Sequence, residues 1–285
     1  MSNAILKTAA RAARLLPGPL RQLPYRLGPL TRLIRRTLAR AAPEGLTEIE
    51  IAAGPAAGRR MVLDLQTEKD FWLGTYEPQL QQALADFAGP GMTLYDVGAN
   101  IGAVSLMMAS AVGETGRVFA FEALPENVER LAAHVQLNSL EDVVRVFHAA
   151  VIDSVREVRF RPGPSHATGA AVAGGTGDPA ETIAVPGLSI DHFVRDLGHP
   201  PPDLIKIDIE GGEALALPGM VGTLNLTRPV ILLELHGQAA ASATWGVLKE
   251  AGYRVHRMRP AYPVIESLDD LDRKAYVVAL PVHTI

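Results

Sequence analysis

Hydrophobic and polar positions change rhythm several times along this chain. After Pro43, "TEIEIAAG" and "GRRMVLDL" alternate with period two around Gly54-Pro55 and Gly58, which predicts a β-hairpin. "EPQLQQALADFA" then repeats its apolar positions at helical spacing and stops at Gly89-Pro90-Gly91. Beyond this point short apolar runs alternate with longer amphipathic ones. The strand-like runs are 93–97, 117–122, 144–151, 203–209 and 229–236, and helices are expected at 102–112, 125–138, 188–197, 212–217 and 240–251. Strands separated by helices imply a mostly parallel sheet covered on both faces, because each crossover lays a helix on the sheet. Two late runs, 253–258 and 275–281, complete a seven-stranded α/β core of Rossmann-like type. One stretch breaks the rhythm. Residues 162–180 are mostly Gly, Ala, Pro and small polar residues, and read either as a surface loop or as a lid over a site.

The N-terminal region carries a different pattern. Leu30, Leu33, Ile34 and Leu38 fall on one helical face, with Arg32, Arg35, Arg36 and Arg40 mostly off it. The chain therefore divides into a basic helical arm (1–42), a hairpin and helix preceding the core (43–91), and the core itself (92–285).

Charge sharpens that division. Residues 1–42 hold nine basic residues and no acidic one, although the formal net charge of the whole chain is −4. The remaining residues carry 18 basic against 31 acidic side chains. Three readings of the arm stay open: a packed accessory helix, a contact to anionic lipid or an acidic partner, or a targeting segment. No apolar run reaches the ~18–20 residues of a membrane span. The expectation is a cytoplasmic protein, with peripheral membrane contact through the arm as one reading. The absence of cysteine removes disulfides, thiolate nucleophiles and zinc–cysteine sites. The acidic body argues against a nucleic-acid partner, as does the lack of an aromatic residue after Pro201-Pro202. Oligomeric state is not readable.

Candidate chemistry gathers at the ends of the core strands, where open parallel sheets bind ligands. "LYDVGANIGAVS" (94–105) runs from strand through a glycine turn into a helix. Gly98 permits the sharp turn and close approach of a ligand, and Gly102 brings the helix near the strand. The loop lacks the Lys and Ser/Thr of a phosphate-cradling P-loop, and Asn100 stands where a dinucleotide loop needs bare backbone. Asp96, just before the turn, would repel a pyrophosphate and favour a cation. Glu122 closes the second core strand 20 residues beyond Gly102, the offset at which an acid accepts the ribose hydroxyls of an adenosine ligand. Together these residues describe a site for a phosphate-free, cationic adenosine ligand, a description that S-adenosylmethionine satisfies.

A second acidic group follows. Lys206, Asp208 and Glu210 alternate in "DLIKIDIEGGE", and Glu234 and His236 end the next strand with the same spacing. One reading is a Lys206–Asp208 pair that supports the fold. The other is that Asp208, Glu210 and His236 face the reacting groups and supply the base that removes a hydroxyl proton. A divalent cation on these ligands is chemically feasible but not preferred over the base reading.

In order and spacing, "YEPQL", "LYDVGANIG", "VFAFEALPENVERL", "DLIKIDIEGGEALALPGM" and "ILLELHG" resemble the FkbM family of S-adenosylmethionine-dependent methyltransferases, over roughly Tyr76 to Gly237. The resemblance implies a seven-stranded class I methyltransferase domain over 92–285. It also implies O-methylation of a hydroxyl on a sugar, glycolipid or polyketide-like metabolite. It places Glu77 near donor or acceptor, and marks Asp191 as a family position that is otherwise a helix cap. The cofactor set becomes Glu77, Asp96, Gly98, Asn100, Gly102, Glu122 and Asp208, with 148–153 near the adenine. Two alternatives remain: a non-catalytic methyltransferase-like binding module and an NAD-dependent oxidoreductase.

Overall fold

The structure, a computed structural model, describes residues 2–15, 37, 40, 42–162, 169–171, 182–271 and 274–282. The chain begins with helix α1 (Ser2–Leu15) and a hairpin of β1 (Leu46–Glu50) and β2 (Arg60–Asp64). Two helices follow, α2 (Lys69–Leu73) and α3 (Pro78–Phe87). The core then runs β3 (Thr93–Val97), α4 (Ala103–Val112), β4 (Arg117–Glu122), α5 (Pro125–Leu137) and β5 (Val144–His148). Next come β6 (Ala150–Val151), β7 (Arg156–Pro162), β8 (Gly169–Ala171), β9 (Ile183–Leu188) and α6 (Ile190–Arg195). The chain closes with β10 (Leu204–Ile207), α7 (Glu213–Ala216), α8 (Val221–Thr227), β11 (Val230–His236), α9 (Gln238–Glu250), β12 (Tyr253–Arg257) and β13 (Lys274–Pro281).

Seven strands form one sheet in the order β12-β13-β11-β10-β3-β4-β5, parallel except where β13 pairs antiparallel with β11 and β12. Strand alternation divides the core into two layers. Leu94, Val118, Leu204 and Leu232 join the apolar layer of α3, α4 and α5. Tyr95, Phe119, Ile205 and Leu233, one residue further on, join the layer of α6, α8 and α9. The sheet order turns back beside β3. This is the switch point where an open α/β sheet forms a cleft.

Three sequence expectations change. The run 144–151 is not one strand: Ala149 separates β5 in the main sheet from β6, which belongs to a second sheet ordered β6-β9-β7-β8. Of the stretch that composition marked as a loop, Pro162 ends β7 and β8 lies within it, so its described residues belong to that sheet. Alternation of Val158 and Phe160 with charged residues in β7 was its available signal. Strand β10 also ends at Ile207, so period-two spacing does not extend to Glu210. The arm's apolar stripe at Leu30, Leu33, Ile34 and Leu38 lies outside the described residues, as does most of 162–180.

The hairpin is fastened to the core by α5. Buried His134 accepts a hydrogen bond at Nε2 from the Val62 N–H at 2.9 Å and donates from Nδ1 to the Ile101 carbonyl at 2.7 Å. Burial pushes its pKa below the usual value, which matches the neutral form those two bonds require. Arg130 grips both Glu68 oxygens at 2.8 and 2.9 Å and the Val62 carbonyl at 3.0 Å. Asn138 bonds the Arg60 N–H and carbonyl, at 2.8 and 2.7 Å. The hairpin thus becomes a fixed wall beside the glycine loop.

Candidate active site

A cavity of about 1060 Å³ opens over the carboxyl ends of β3, β4 and β10, with Gly98, Asn100, Glu122, Asp208 and Glu210 on its wall. Glu77 and Tyr76 line it from the turn before α3, and Phe160 and Ile183 from the second sheet. Asp96, Gly102 and His236 do not reach the wall.

Asp96 is fully buried beneath the loop. Its Oδ2 accepts from Ser105 Oγ at 2.6 Å, and its Oδ1 lies 3.2 Å from Lys206 Nζ, directly across from it in the β3–β10 register. Lys206 also donates to the Gly98 carbonyl at 2.7 Å and to the Val97 carbonyl at 3.3 Å. The buried lysine therefore pairs with Asp96 rather than Asp208, and removing either partner would leave an uncompensated buried charge. Asp96 is placed to hold the loop to β10 and α4, not to meet a ligand's cation. Gly102 serves packing: a Cβ there would overlap Leu131 of α5, and its φ is +91°.

Glu122 lies on the cavity wall with both oxygens held. Its Oε2 accepts from the Asn100 N–H and its Oε1 from the Leu124 N–H, both at 2.8 Å. Each oxygen keeps a lone pair for the cavity, so the carboxylate is oriented before any ligand arrives. Ala149, Ala150 and Val151 line the wall where adenine contact was expected. Asp191 is not on the wall: it accepts from the N–H groups of Gly222 (2.8 Å) and Thr223 (2.6 Å), capping the start of α8.

The opposite end, at the exits of β10 and β11, two and three strands from Glu122 on β4, is crowded with acids. His236 donates from Nδ1 to Glu213 Oε1 at 3.1 Å, while its Nε2 lies 3.1 Å from Glu234, 3.5 Å from Glu210 and 3.8 Å from Asp208. Burial alone would lower its pKa, but bonding to Glu213 and Glu234, with the Glu210 charge nearby, pushes it up to about 10. The imidazole is therefore already protonated at neutral pH and has no lone pair with which to act as a base. In this arrangement the neighbouring carboxylates are better placed to take a proton than the imidazole.

The neighbouring acids shift the other way. Burial, with Glu234 and Glu210 adding to it, raises Asp208 to about 6 against the opposing pull of Lys206 and His236. Burial likewise raises Glu77 to about 7, with Asp208 and Glu234 adding to it against the hydrogen bond from Tyr76. Glu77, Asn100 and Glu210 all have left-handed φ angles (39°, 50° and 51°), and all three line the cavity. Such strain costs on the order of 1 kcal/mol or more per residue and concentrates at functional sites. Sequence reading missed Glu213 and Lys274, which sit against His236 and Glu234; only their proximity in three dimensions reveals them.

Fold and cleft together define the class: a seven-stranded α/β methyltransferase, with an adenosine-type loop at the end of β3. The chain belongs to a particular family within it. The Methyltransferase FkbM domain matches residues 96–255, more than half of the chain, and makes it an S-adenosylmethionine-dependent methyltransferase of that family. The hexuronic acid methyltransferase AglP of Haloferax volcanii is 27% identical over 175 residues, covering 61% of this chain and 69% of that protein. Among solved structures, Methyltransferase FkbM from Methylobacillus flagellatus is 15% identical with a TM-score of 0.42, over 88% of this chain and 59% of that one. An S-adenosylmethionine-dependent O-methyltransferase from Thermotoga maritima is 13% identical with a TM-score of 0.43, over 88% of this chain and 82% of that one.

The residues present fit the cofactor. Glu122 offers oriented acceptors to a ribose, Gly98 leaves the backbone bare, and the loop holds no phosphate-binding cation. Changing Glu122 to Ala is expected to weaken S-adenosylhomocysteine binding about 10- to 100-fold, the loss of one or two charge-assisted hydrogen bonds. Calorimetry checks this, and wild-type affinity in the variant would remove Glu122 from the cofactor site.

Proposed function

We propose that this chain transfers a methyl group to a hydroxyl of a sugar, glycolipid or polyketide-like acceptor, with Glu77 as the general base. When bound, S-adenosylmethionine supplies an electrophilic methyl carbon. An alcohol attacking it must shed its proton, and a carboxylate held near neutrality by burial is suited to take it. The observation that supports this reading is the pair Glu77 and Asp208 on the cavity wall, at the end away from Glu122. Lys206 and Asp96 hold the loop while Glu77 orients and deprotonates the acceptor, so that oxygen and methyl carbon meet in line. The named chemistry of AglP supports a saccharide-like acceptor for this chain as well.

The test is release of S-adenosylhomocysteine across acceptor classes, with mass analysis of the product. O-methylated product from a hydroxylated acceptor is expected. Transfer confined to amine or thiol acceptors would overturn the reading, and cofactor binding without turnover on any acceptor would favour a non-catalytic module.

A further inference from the structure

The acids around His236 are arranged about a point as well as about an imidazole. Glu234 is 4% exposed, and its Oε2 has no hydrogen-bond donor. His236 Nε2 is likewise buried and makes no hydrogen bond of good geometry with the three carboxylates near it. Nδ1 is committed to Glu213, which fixes the ring so that Nε2 faces Glu234 and Asp208. A carboxylate holding one imidazole nitrogen so that the other can coordinate is the arrangement of metal-binding histidines. One ligand atom each from Asp208, Glu234 and His236 lies within 4.8 Å of the others.

We infer that Asp208, Glu234 and His236 bind a divalent metal ion, which displaces the proton of His236 Nε2 to solvent, with Glu210 beside it and open positions towards the cavity. His236 Nε2 is 3.1 Å from Glu234 Oε1 and 3.8 Å from Asp208 Oδ1, so a small inward shift of Asp208 brings the three to the roughly 3.0–3.5 Å at which ligand atoms stand around one metal. Two carboxylates and an imidazole suit a first-row ion such as manganese better than magnesium. Lys274, which pairs with Glu234 in the ion's place, is more than half exposed and free to swing into solvent. At this position the ion would bind the acceptor's hydroxyl oxygen and lower its pKa, beside Glu77. The inference rests on side-chain placement and not on the O-methylation reading.

The test uses the full chain, stripped with chelator and titrated with manganese(II) chloride, free ion being read by electron paramagnetic resonance. One ion per chain with a dissociation constant below about 100 µM is expected. Asp208→Asn and Glu234→Gln should each weaken it about 10-fold or more. Binding weaker than about 1 mM, or undiminished affinity in both variants, would overturn the inference. Thermal unfolding shows whether each variant folds, and either one that folds suffices. S-adenosylhomocysteine affinity is measured on the same samples. Cofactor binding without manganese binding sinks the ion site alone, whereas manganese binding with transfer only to amines sinks the O-methylation reading alone.

Discussion

Replacing Glu77 with Gln is expected to lower the methyl-transfer rate at pH 8 about 100-fold or more while making the folded protein more stable. The loss follows from removing a general base, whose contribution is typically 10²- to 10⁴-fold. The gain follows from linkage. Glu77 has a folded-state value of about 7 against an ordinary 4.5. The folded state therefore holds this proton more tightly than the unfolded chain does. Its stability falls as pH rises from about 4.5, and the full cost is present above about 7, on the order of 3 kcal/mol. A neutral glutamine escapes that cost. In chelator, wild-type activity should rise with pH through about 7, and the variant's profile should lose that limb. Chemical denaturation at pH 5 and pH 8 measures the other half, with a stability gain at pH 8 that shrinks at pH 5. A variant that loses activity and stability together would show Glu77 to be structural.

The second large effect is expected at Gly98. Its φ is +76°, and a Cβ there would overlap the Asp208 carbonyl oxygen and press on the Ile209 side chain. Gly98→Ala combines left-handed strain with a backbone overlap that no side-chain movement relieves. A loss on the order of 2–4 kcal/mol is expected, together with loss of cofactor binding. Thermal unfolding and calorimetry check the two. A variant as stable as wild type with unaltered cofactor affinity would mean that the loop does not need the close approach of β10.

Gly98 also shows how the sequence and the structure divide the work. A turn glycine after a strand is legible from a few residues, and so is its place at a ligand cleft. The surface it makes room for, the backbone leaving β10, lies 110 residues away in the chain and has no local signature. The same holds for Lys206. Its charge in an apolar strand signalled a partner, but the alternation pointed to Asp208, two residues on, whereas the register supplies Asp96 from the neighbouring strand. The second sheet was missed because Pro186 and Gly187 interrupt the apolar pattern of β9.

Period, turn residues and strand-end acids by themselves determined the seven-stranded α/β core, the glycine loop and Glu122, together with the group Asp208, Glu210 and His236. Those features depend on neighbours within one element or its exit, where spacing and local conformation are coupled. The tertiary structure alone decided that Asp96 lies under the loop, that Glu77 and Asp208 share a wall, and that His236 sits protonated among acids. Ion pairing and pKa depend on burial and on distances across strands, and a linear chain does not contain either until the sheet has assembled.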